Sequence, residues 1–198
     1  MGCLRVGTLH DFRRQEHRDG ISDPQEGKKT VAWPIEKVLA TGINDPNSHK
    51  LSQFGIMTGP TEVQFENITI ARSFDFPDCF LYCMSHECSR VVMRQFAGAD
   101  SCVEIINPNG FFQALTEVLN EHIPVTFQGI HECQYQERTE EWNHFDWGTH
   151  PAIIKEPIPR FIAQKEIRAL WFPRYIQNIE PMNIGFYQLA RFCNHVIV

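Results

Sequence analysis

The chain has 198 residues, a formal net charge of −6 and a hydrophobic fraction of 42%. This length fits one domain with a substantial core, and the composition excludes a disordered chain and a coiled coil. The acidic balance argues against a nucleic-acid binder that works by broad neutralisation of phosphates. We therefore expect residues 1–198 to form a single domain.

The cysteines and the hydropathy pattern bear on the compartment. No stretch approaches the ~20 apolar residues that a membrane-spanning helix needs, and no secretory signal is visible at the N-terminus. The seven cysteines are an odd number, and several lie in apolar runs with the character of strands. Reduced thiols are the simplest account, so we expect a cytoplasmic protein without membrane contact.

The first half of the chain is predicted to consist of strands separated by turn-rich loops. Apolar patterning predicts strands over residues 3–9, 29–33, 62–72 and 79–85. The third of these contains a phase slip, which indicates a bulge or a break near Asn67. Pro34 is expected to begin a short helix over 34–39, and residues 44–59 are expected to form a loop.

The second half adds the clearest helix. Asn107 or Asn109 is expected to cap it, and its apolar side chains follow helical spacing. Residues 151–159 contain three prolines and are expected to lack regular structure. Strands are predicted over residues 102–106 and 162–172, and residues 123–130 and 131–136 are predicted to form a strand pair or one bent strand. Many strands with one good helix indicate an α+β fold.

The last predicted strand carries a polar triplet. Alternate residues of a strand share a face, so Gln164, Glu166 and Arg168 are expected to project together. Ile167 and Trp171 would then lie behind them in the core. The spacing alone is also compatible with a polar outer face that holds an ordinary Glu–Arg contact.

Two other clusters contain residues of the metal-binding types. Cys79 and Cys83 would lie about 13 Å apart along a strand, which is too far for both to bind one zinc ion. The acidic segment 137–150 contains histidines and offers an alternative reading as a metal-dependent nuclease, although no known metal motif is present. Its residues Trp142 and Trp147 could fold the segment onto the body or stack on a ligand ring. We expect no metal.

Several short motifs occur in a characteristic order along residues 3 to about 172. They are Arg5, Gly7 and Leu9 followed by Phe12, Arg13 and Glu16, then Asp23-Pro24 with Glu26-Gly27, then Leu81–Ser85, and finally Gln164, Glu166 and Arg168. This order resembles ADP-ribosyltransferase-like proteins of bacterial conflict and phage-defence systems. The chain has Met84-Ser85-His86 where that family often has Ser-Thr-Ser.

The resemblance implies a fold and an activity. The fold would be two small, mostly antiparallel sheets with few helices. The activity would be that of a toxin or defence effector that uses NAD as a substrate, without a metal, to modify a protein or a nucleic acid. An antitoxin protein is a possible partner. An NAD glycohydrolase on the same fold and a non-catalytic nucleotide-sensing domain remain as alternatives.

The resemblance also implies site residues. Glu166 would be the catalytic carboxylate, because loss of nicotinamide builds positive charge on the ribose that a fixed carboxylate stabilises. Gln164 would orient the nucleophile. The residues implied to bind NAD are Arg5, Ser85, Arg168, His10 as an alternative first-strand residue, and Arg13 as a competitor of Arg5.

Overall fold

The computed structural model describes residues 3–17, 21–96, 98–99, 101–185, 187 and 189–197. In chain order, its strands are β1 (Cys3–Thr8), β2 (Lys28–Ala40), β3 (Val63–Asp75), β4 (Phe80–Ser85), β5 (Ser101–Ile105), β6 (Val125–Glu132), β7 (Gln134–Tyr135), β8 (Thr139–Glu141), β9 (Ile154–Lys155), β10 (Glu166–Pro173), β11 (Met182–Gly185) and β12 (Cys193–Ile197). Its α-helices are α1 (Pro46–Gln53), α2 (Arg90–Met93), α3 (Pro108–His122) and α4 (Pro159–Ile162). The α+β class predicted from the sequence is confirmed.

The largest sheet has five strands in the order β11-β1-β4-β10-β6, and every neighbouring pair is antiparallel. Register places Glu166 opposite Ser85 and Arg168 opposite Cys83. The strands that carry the first, third and last sequence motifs are therefore neighbours. The run 79–85 is a central strand of this sheet, as its continuous apolar character predicted.

One face of this sheet packs against α3. The Asn107 side chain accepts a hydrogen bond from the backbone N–H of Gly110 at 3.0 Å, which confirms the predicted cap. The buried side chains of the helix and the sheet form one core: Leu4, Val6, Phe80, Phe111, Phe112, Leu115, Leu119, Ala169 and Trp171. This packing uses the alternate residues of β10 that the pattern assigned to the core.

The opposite face of the sheet is also covered. Leu9, Cys79, Leu81, Ala152 and Leu170 form a second apolar cluster there. Because the pleat alternates, this face also carries the side chains of Glu166 and Arg168. The face of β10 that carries Glu166 and Arg168 is therefore buried rather than exposed to solvent.

A long hairpin of β2 and β3 stands apart from this sheet, and it corrects the predicted helix over 34–39. The two strands pair from Lys28 opposite Asp75 to Ala40 opposite Val63, and the ladder lacks a pair only at Asn67. Asn67 has a φ of +50°, so the chain is irregular where the phase slip predicted it, but β3 continues as one strand with the same register on both sides, without a bulge or a break. Pro34 is tolerated because the N–H of Thr30 and the carbonyl of Ala32 point toward β8, which ends before it reaches the proline.

The segment 44–59 is not an uninterrupted loop, because it contains α1. Asp45 caps this helix by accepting a hydrogen bond from the N–H of Asn47 at 2.7 Å, and Pro46 occupies the first helical position. Leu51 is buried against the hairpin together with Trp33 and Trp142. The tryptophan-bearing segment therefore folds onto the body, which was one of its two predicted outcomes.

Two further expectations about architecture need adjustment. The described residues form four sheets rather than two, of five, three, two and two strands. The proline-rich stretch 151–159 includes a 3-10 turn over Pro151–Ile153 and the short strand β9, since two of its three prolines, Pro151 and Pro159, stand at helical first positions. Within the described part of the chain, no helix is long and apolar enough to cross a membrane.

Candidate functional site

A cavity of about 360 Å³ lies on the second face of the main sheet, next to β1, β4 and the start of β10. Its walls include Arg5, Ser85, Gln164, Glu166 and Arg168. Five of the seven residues that the sequence proposed for the site therefore share one cavity. We call it the Glu166 cavity.

A buried network of charges lies at the floor of this cavity: Glu166, Arg168 and Lys155 line the cavity, and Glu26 lies beneath Arg168 without lining it. The Arg168 guanidinium donates to both carboxylate oxygens of Glu26, with Nη1–Oε1 at 2.7 Å and Nη2–Oε2 at 2.9 Å. Its Nε donates to Glu166 Oε1 at 2.7 Å. Lys155 Nζ lies 3.1 Å from Glu166 Oε2. All four side chains are buried, so two positive charges balance two negative charges within the interior.

Glu26 reaches this network through a tight turn. The Glu26 N–H donates to the carbonyl of Asp23 at 2.9 Å, and the next residue, Gly27, has a φ of +71°. A Cβ on Gly27 would lie 2.5 Å from Leu9 Cδ2, so both the backbone conformation and the packing require glycine. The Asp-Pro-x-Glu-Gly motif is therefore the device that places a carboxylate under Arg168.

Lys155 completes the network from the proline-rich stretch. It follows the buried Ile154 in β9, and its Nζ lies 4.3 Å from the ring centroid of Phe161. The sequence analysis assigned a site role to neither Lys155 nor Glu26. Glu26 could have been found from its motif, whereas Lys155 carries no local signal beyond the apolar residues before it.

The network fixes the ionisation of Glu166. Burial alone would raise the pKa of this carboxyl, but the charges of Arg168 and Lys155 outweigh burial and lower the pKa to about 2. Burial likewise opposes the charge of Arg168, yet Glu166 and Glu26 hold the pKa of Arg168 above its usual value. Glu166 is thus a carboxylate at every physiological pH.

A cysteine also faces the cavity, without being a nucleophile there. Burial raises the pKa of the Cys83 thiol well above its usual value, and the Glu166 charge adds to that effect. The thiol therefore stays protonated, and its unionised form is a weak nucleophile.

Ser85 and Gln164 join the ends of two strands. Ser85 Oγ lies 2.9 Å from the carbonyl oxygen of Gln164 and accepts a hydrogen bond from the N–H of Glu87 at 3.1 Å. Gln164 is buried immediately before β10. Ser85 thus lines the cavity, while its hydroxyl bonds to the backbone of Gln164 before β10 and of Glu87 after β4.

Arg5 occupies the rim of the Glu166 cavity. Its side chain is 45% exposed, and its Nη2 donates to Asp11 Oδ2 at 2.6 Å. Asp11 is itself buried and also lies 3.2 Å from His17 Nε2. Arg5 therefore presents a guanidinium that is anchored at one side and open to solvent at the other.

His10 and Arg13 do not line the Glu166 cavity. The His10 ring contacts the carbonyl oxygen of Phe76 at 2.9 Å, and His10 lines a different cavity of about 710 Å³. Arg13 donates to the Glu26 carbonyl at 2.7 Å and to Asp75 at 2.6 Å. Of the two arginines proposed for the first segment, Arg5 faces the cavity and Arg13 supports the Glu26 turn from behind.

A second cavity of about 560 Å³ adjoins the first. Among the described residues, β1 and β4 pair at Gly7–Leu81 and Thr8–Phe80 alone, and beyond Leu81 the ladder between them ends. Both cavities lie along the part of β4 that is not paired with β1, from Tyr82 to Ser85. They share the lining residues Tyr82, Cys83, Met84, Ser85 and Phe96. We call the two cavities together the β4 cleft.

The acidic segment 137–150 does not gather a metal site. Glu140 Oε2 lies 3.3 Å from the buried Lys29 Nζ, while the His144 and His150 rings pack on Trp142 and Phe76 respectively. Within the described ranges, no group of three His, Cys, Asp or Glu side chains is placed to hold a metal ion.

Comparison with known proteins identified no relative of this chain. The chain matches no protein-family model, and neither the curated proteins nor the solved structures contain a significant match to it.

Proposed function

We propose that the β4 cleft binds NAD and that the protein is an ADP-ribosyltransferase, with hydrolysis of NAD as the variant reaction when water is the acceptor. The observation that carries the proposal is the pairing of a permanently ionised, buried Glu166 with a partly exposed Arg5 in one cavity. Glu166 supplies a negative charge for the positive charge that develops on the ribose, and Arg5 supplies a cation for the diphosphate.

The dimensions and lining of the cleft suit a dinucleotide. Binding sites for such ligands usually measure about 300–1,000 Å³ and combine apolar walls with a few polar groups. The two cavities measure about 360 and 560 Å³. Tyr82, Phe96 and Phe112 supply flat apolar surface for rings, and Arg5 supplies a planar grip for the diphosphate.

The chemistry assigned to Glu166 follows from its environment. Departure of nicotinamide leaves positive charge on the anomeric carbon, and a fixed carboxylate nearby lowers the energy of that state. Each carboxylate oxygen has capacity for more than one hydrogen bond, so the contacts with Arg168 and Lys155 leave room for a ribose hydroxyl. Arg168 and Lys155 hold the carboxylate in place before the substrate arrives.

The acceptor and the biological setting extend this proposal by the resemblance alone. We propose a macromolecular acceptor, either protein or nucleic acid, and a role as a toxin or defence effector. An antitoxin that binds the chain would be the corresponding partner.

One observation favours a second candidate, a nucleotide-sensing domain without turnover. Both oxygens of Glu166 already lie within 3.1 Å of a cation, and the network as a whole has no net charge. A carboxylate that is neutralised in this way stabilises a developing positive charge less than a free one does. Such a domain would bind NAD without consuming it.

The deciding experiment measures NAD binding and NAD turnover separately. Purified protein is incubated with labelled NAD and cell lysate, and the label is followed into protein, nucleic acid and free ADP-ribose, while calorimetry gives the affinity. We expect Glu166→Gln to lower turnover by ~10² or more, as removal of a principal electrostatic group does.

Glu26→Gln is the matched control, because it removes the other carboxylate of Arg168 but does not line the cavity. We expect it to weaken the fold about as much as Glu166→Gln and to keep turnover within about tenfold of the wild type. Binding without turnover in the wild type would favour the sensing domain. Absence of NAD binding would refute both candidates.

A further inference from the structure

Two thiols lie in contact on the wall of the β4 cleft. Cys88 Sγ and Cys102 Sγ are 3.6 Å apart. Cys88 is exposed and stands in the loop between β4 and α2, whereas Cys102 is half-buried in β5. Both residues line the second cavity of the cleft.

We propose that Cys88 and Cys102 are a redox modification site, at which a hydroperoxide converts the two thiols into a reversible intramolecular disulfide. All seven cysteines carry free thiols in the structure. The disulfide is therefore a second state of the protein, reached by oxidation and left by reduction.

The geometry requires only a small movement. A disulfide has an S–S distance of about 2.05 Å, so the sulfurs must approach by about 1.5 Å. Cys102 is fixed by the ladder between β5 and β12, in which it lies opposite Val196. Cys88 belongs to a loop outside any ladder, so the movement falls on Cys88.

The two positions suit the two steps of the reaction. The exposed Cys88 thiolate attacks one oxygen of the hydroperoxide, which forms a sulfenic acid and releases the second oxygen as water or an alcohol. The Cys102 thiolate then attacks the sulfenic sulfur and displaces hydroxide, which leaves as water after protonation. Two thiols and one hydroperoxide thus give one disulfide, and the two electrons lost by sulfur reduce the peroxide bond.

The order of the steps follows from the surroundings of the two sulfurs. Partial burial and the adjacent Cys88 raise the pKa of Cys102, so a smaller fraction of Cys102 is thiolate and it reacts more slowly with an oxidant. Once Cys88 is oxidised, its sulfur is 3.6 Å from the Cys102 sulfur and is the nearest electrophile.

The remaining cysteines lack this combination of access and a partner. Burial raises the pKa of Cys79, Cys83 and Cys193, and it raises the pKa of Cys133 to about 12. Their thiols therefore stay protonated and react slowly with an oxidant. Cys3 is exposed, so it has access to an oxidant and serves as the control.

The disulfide would close the segment from 88 to 102 into a covalent loop. This segment contains Phe96, which lines both cavities of the cleft. Oxidation would therefore hold one wall of the cleft in place. The effect on a nucleotide rests on the proposed function, whereas formation of the disulfide does not.

The test uses the full chain, first reduced and then treated with one to two equivalents of hydrogen peroxide. Free thiols are alkylated, and a protease specific for glutamate releases residues 88–104, a peptide whose only cysteines are Cys88 and Cys102. We expect this peptide to be two hydrogens lighter and unalkylated. Trypsin then cuts after Arg90 and Arg94, and the flanking fragments should stay joined until dithiothreitol is added.

Three variants complete the test. Cys88→Ser and Cys102→Ser should each abolish the linkage, and Cys3→Ser should leave its yield unchanged. If both cysteines of the 88–104 peptide are alkylated after a treatment that oxidises Cys3, the proposal is wrong. A Cys88 that is converted to sulfinic acid while Cys102 remains alkylated would overturn it as well.

Discussion

Arg168 is the residue on which the buried network depends, and Arg168→Met tests that dependence. Methionine keeps an unbranched side chain of similar reach and removes the charge. The substitution removes two hydrogen bonds to Glu26 and one to Glu166. Lys155 then remains as the one cation of the network beside two buried carboxylates.

The magnitude follows from that imbalance. Removing one partner of a buried ion pair typically costs about 3–5 kcal/mol, because an uncompensated charge stays in the interior. For a chain of this size each kcal/mol lowers Tm by about 2–4 °C, so the expected fall is roughly 6–20 °C. The double variant Arg168→Met with Glu26→Gln should recover part of the loss, since it removes the excess negative charge.

The assay is urea and thermal unfolding followed by circular dichroism. Lys37→Met serves as the control, because it breaks an exposed Lys37–Glu66 pair at 3.1 Å and should change stability by less than about 1 kcal/mol. An Arg168→Met variant that loses less than 1 kcal/mol would refute the reasoning. So would a double variant less stable than Arg168→Met alone.

Two further predictions concern acid and the cavity rim. The folded-state pKa of Glu166, about 2, lies below its usual 4.5, so its contribution to stability is present above pH 4.5 and is lost as the pH falls. In urea titrations, the free energy of unfolding of the wild type should therefore fall by about 2 kcal/mol more than that of Glu166→Gln between pH 6 and pH 3. Arg5→Lys should raise KM for NAD more than it lowers kcat, because lysine lacks the two-point grip. Arg14→Lys should change neither constant, since Arg14 also contacts Asp11 but lines the other cavity; equal effects of the two variants would contradict the placement of the diphosphate.

Local patterns predicted the strands that bring the site together. The alternation in β10 and the apolar run of β4 were sufficient to place Glu166 and Ser85 on strands, and their pairing follows from the sheet. The face on which Glu166 lies was harder to predict. A polar face is usually exposed, and here the turn at Glu26 and the residue Ala152 cover it.

The errors have physical causes of the same kind. Pro34 has no N–H to donate, and it is tolerated in β2 because the neighbouring strand β8 ends before it reaches the proline. The end of β8 is set by another part of the chain, so the residues around Pro34 do not reveal it. The helix α1 was missed because its asparagine, serine and histidine residues resemble a loop in composition. Its Asp45-Pro46 start was nevertheless a readable signal.

The charge network also constrains how the chain folds. Glu26 and Arg168 are separated by 142 residues, so their contact closes a loop that spans most of the protein. Contacts of this separation form late, after local hairpins and helices, because the chain entropy of closing the loop must be overcome first. During synthesis Glu26 leaves the ribosome long before Arg168 exists. The β4 cleft therefore lacks Glu166 and Arg168 until β10 has been made and has docked, and a partly synthesised chain cannot carry out the proposed reaction.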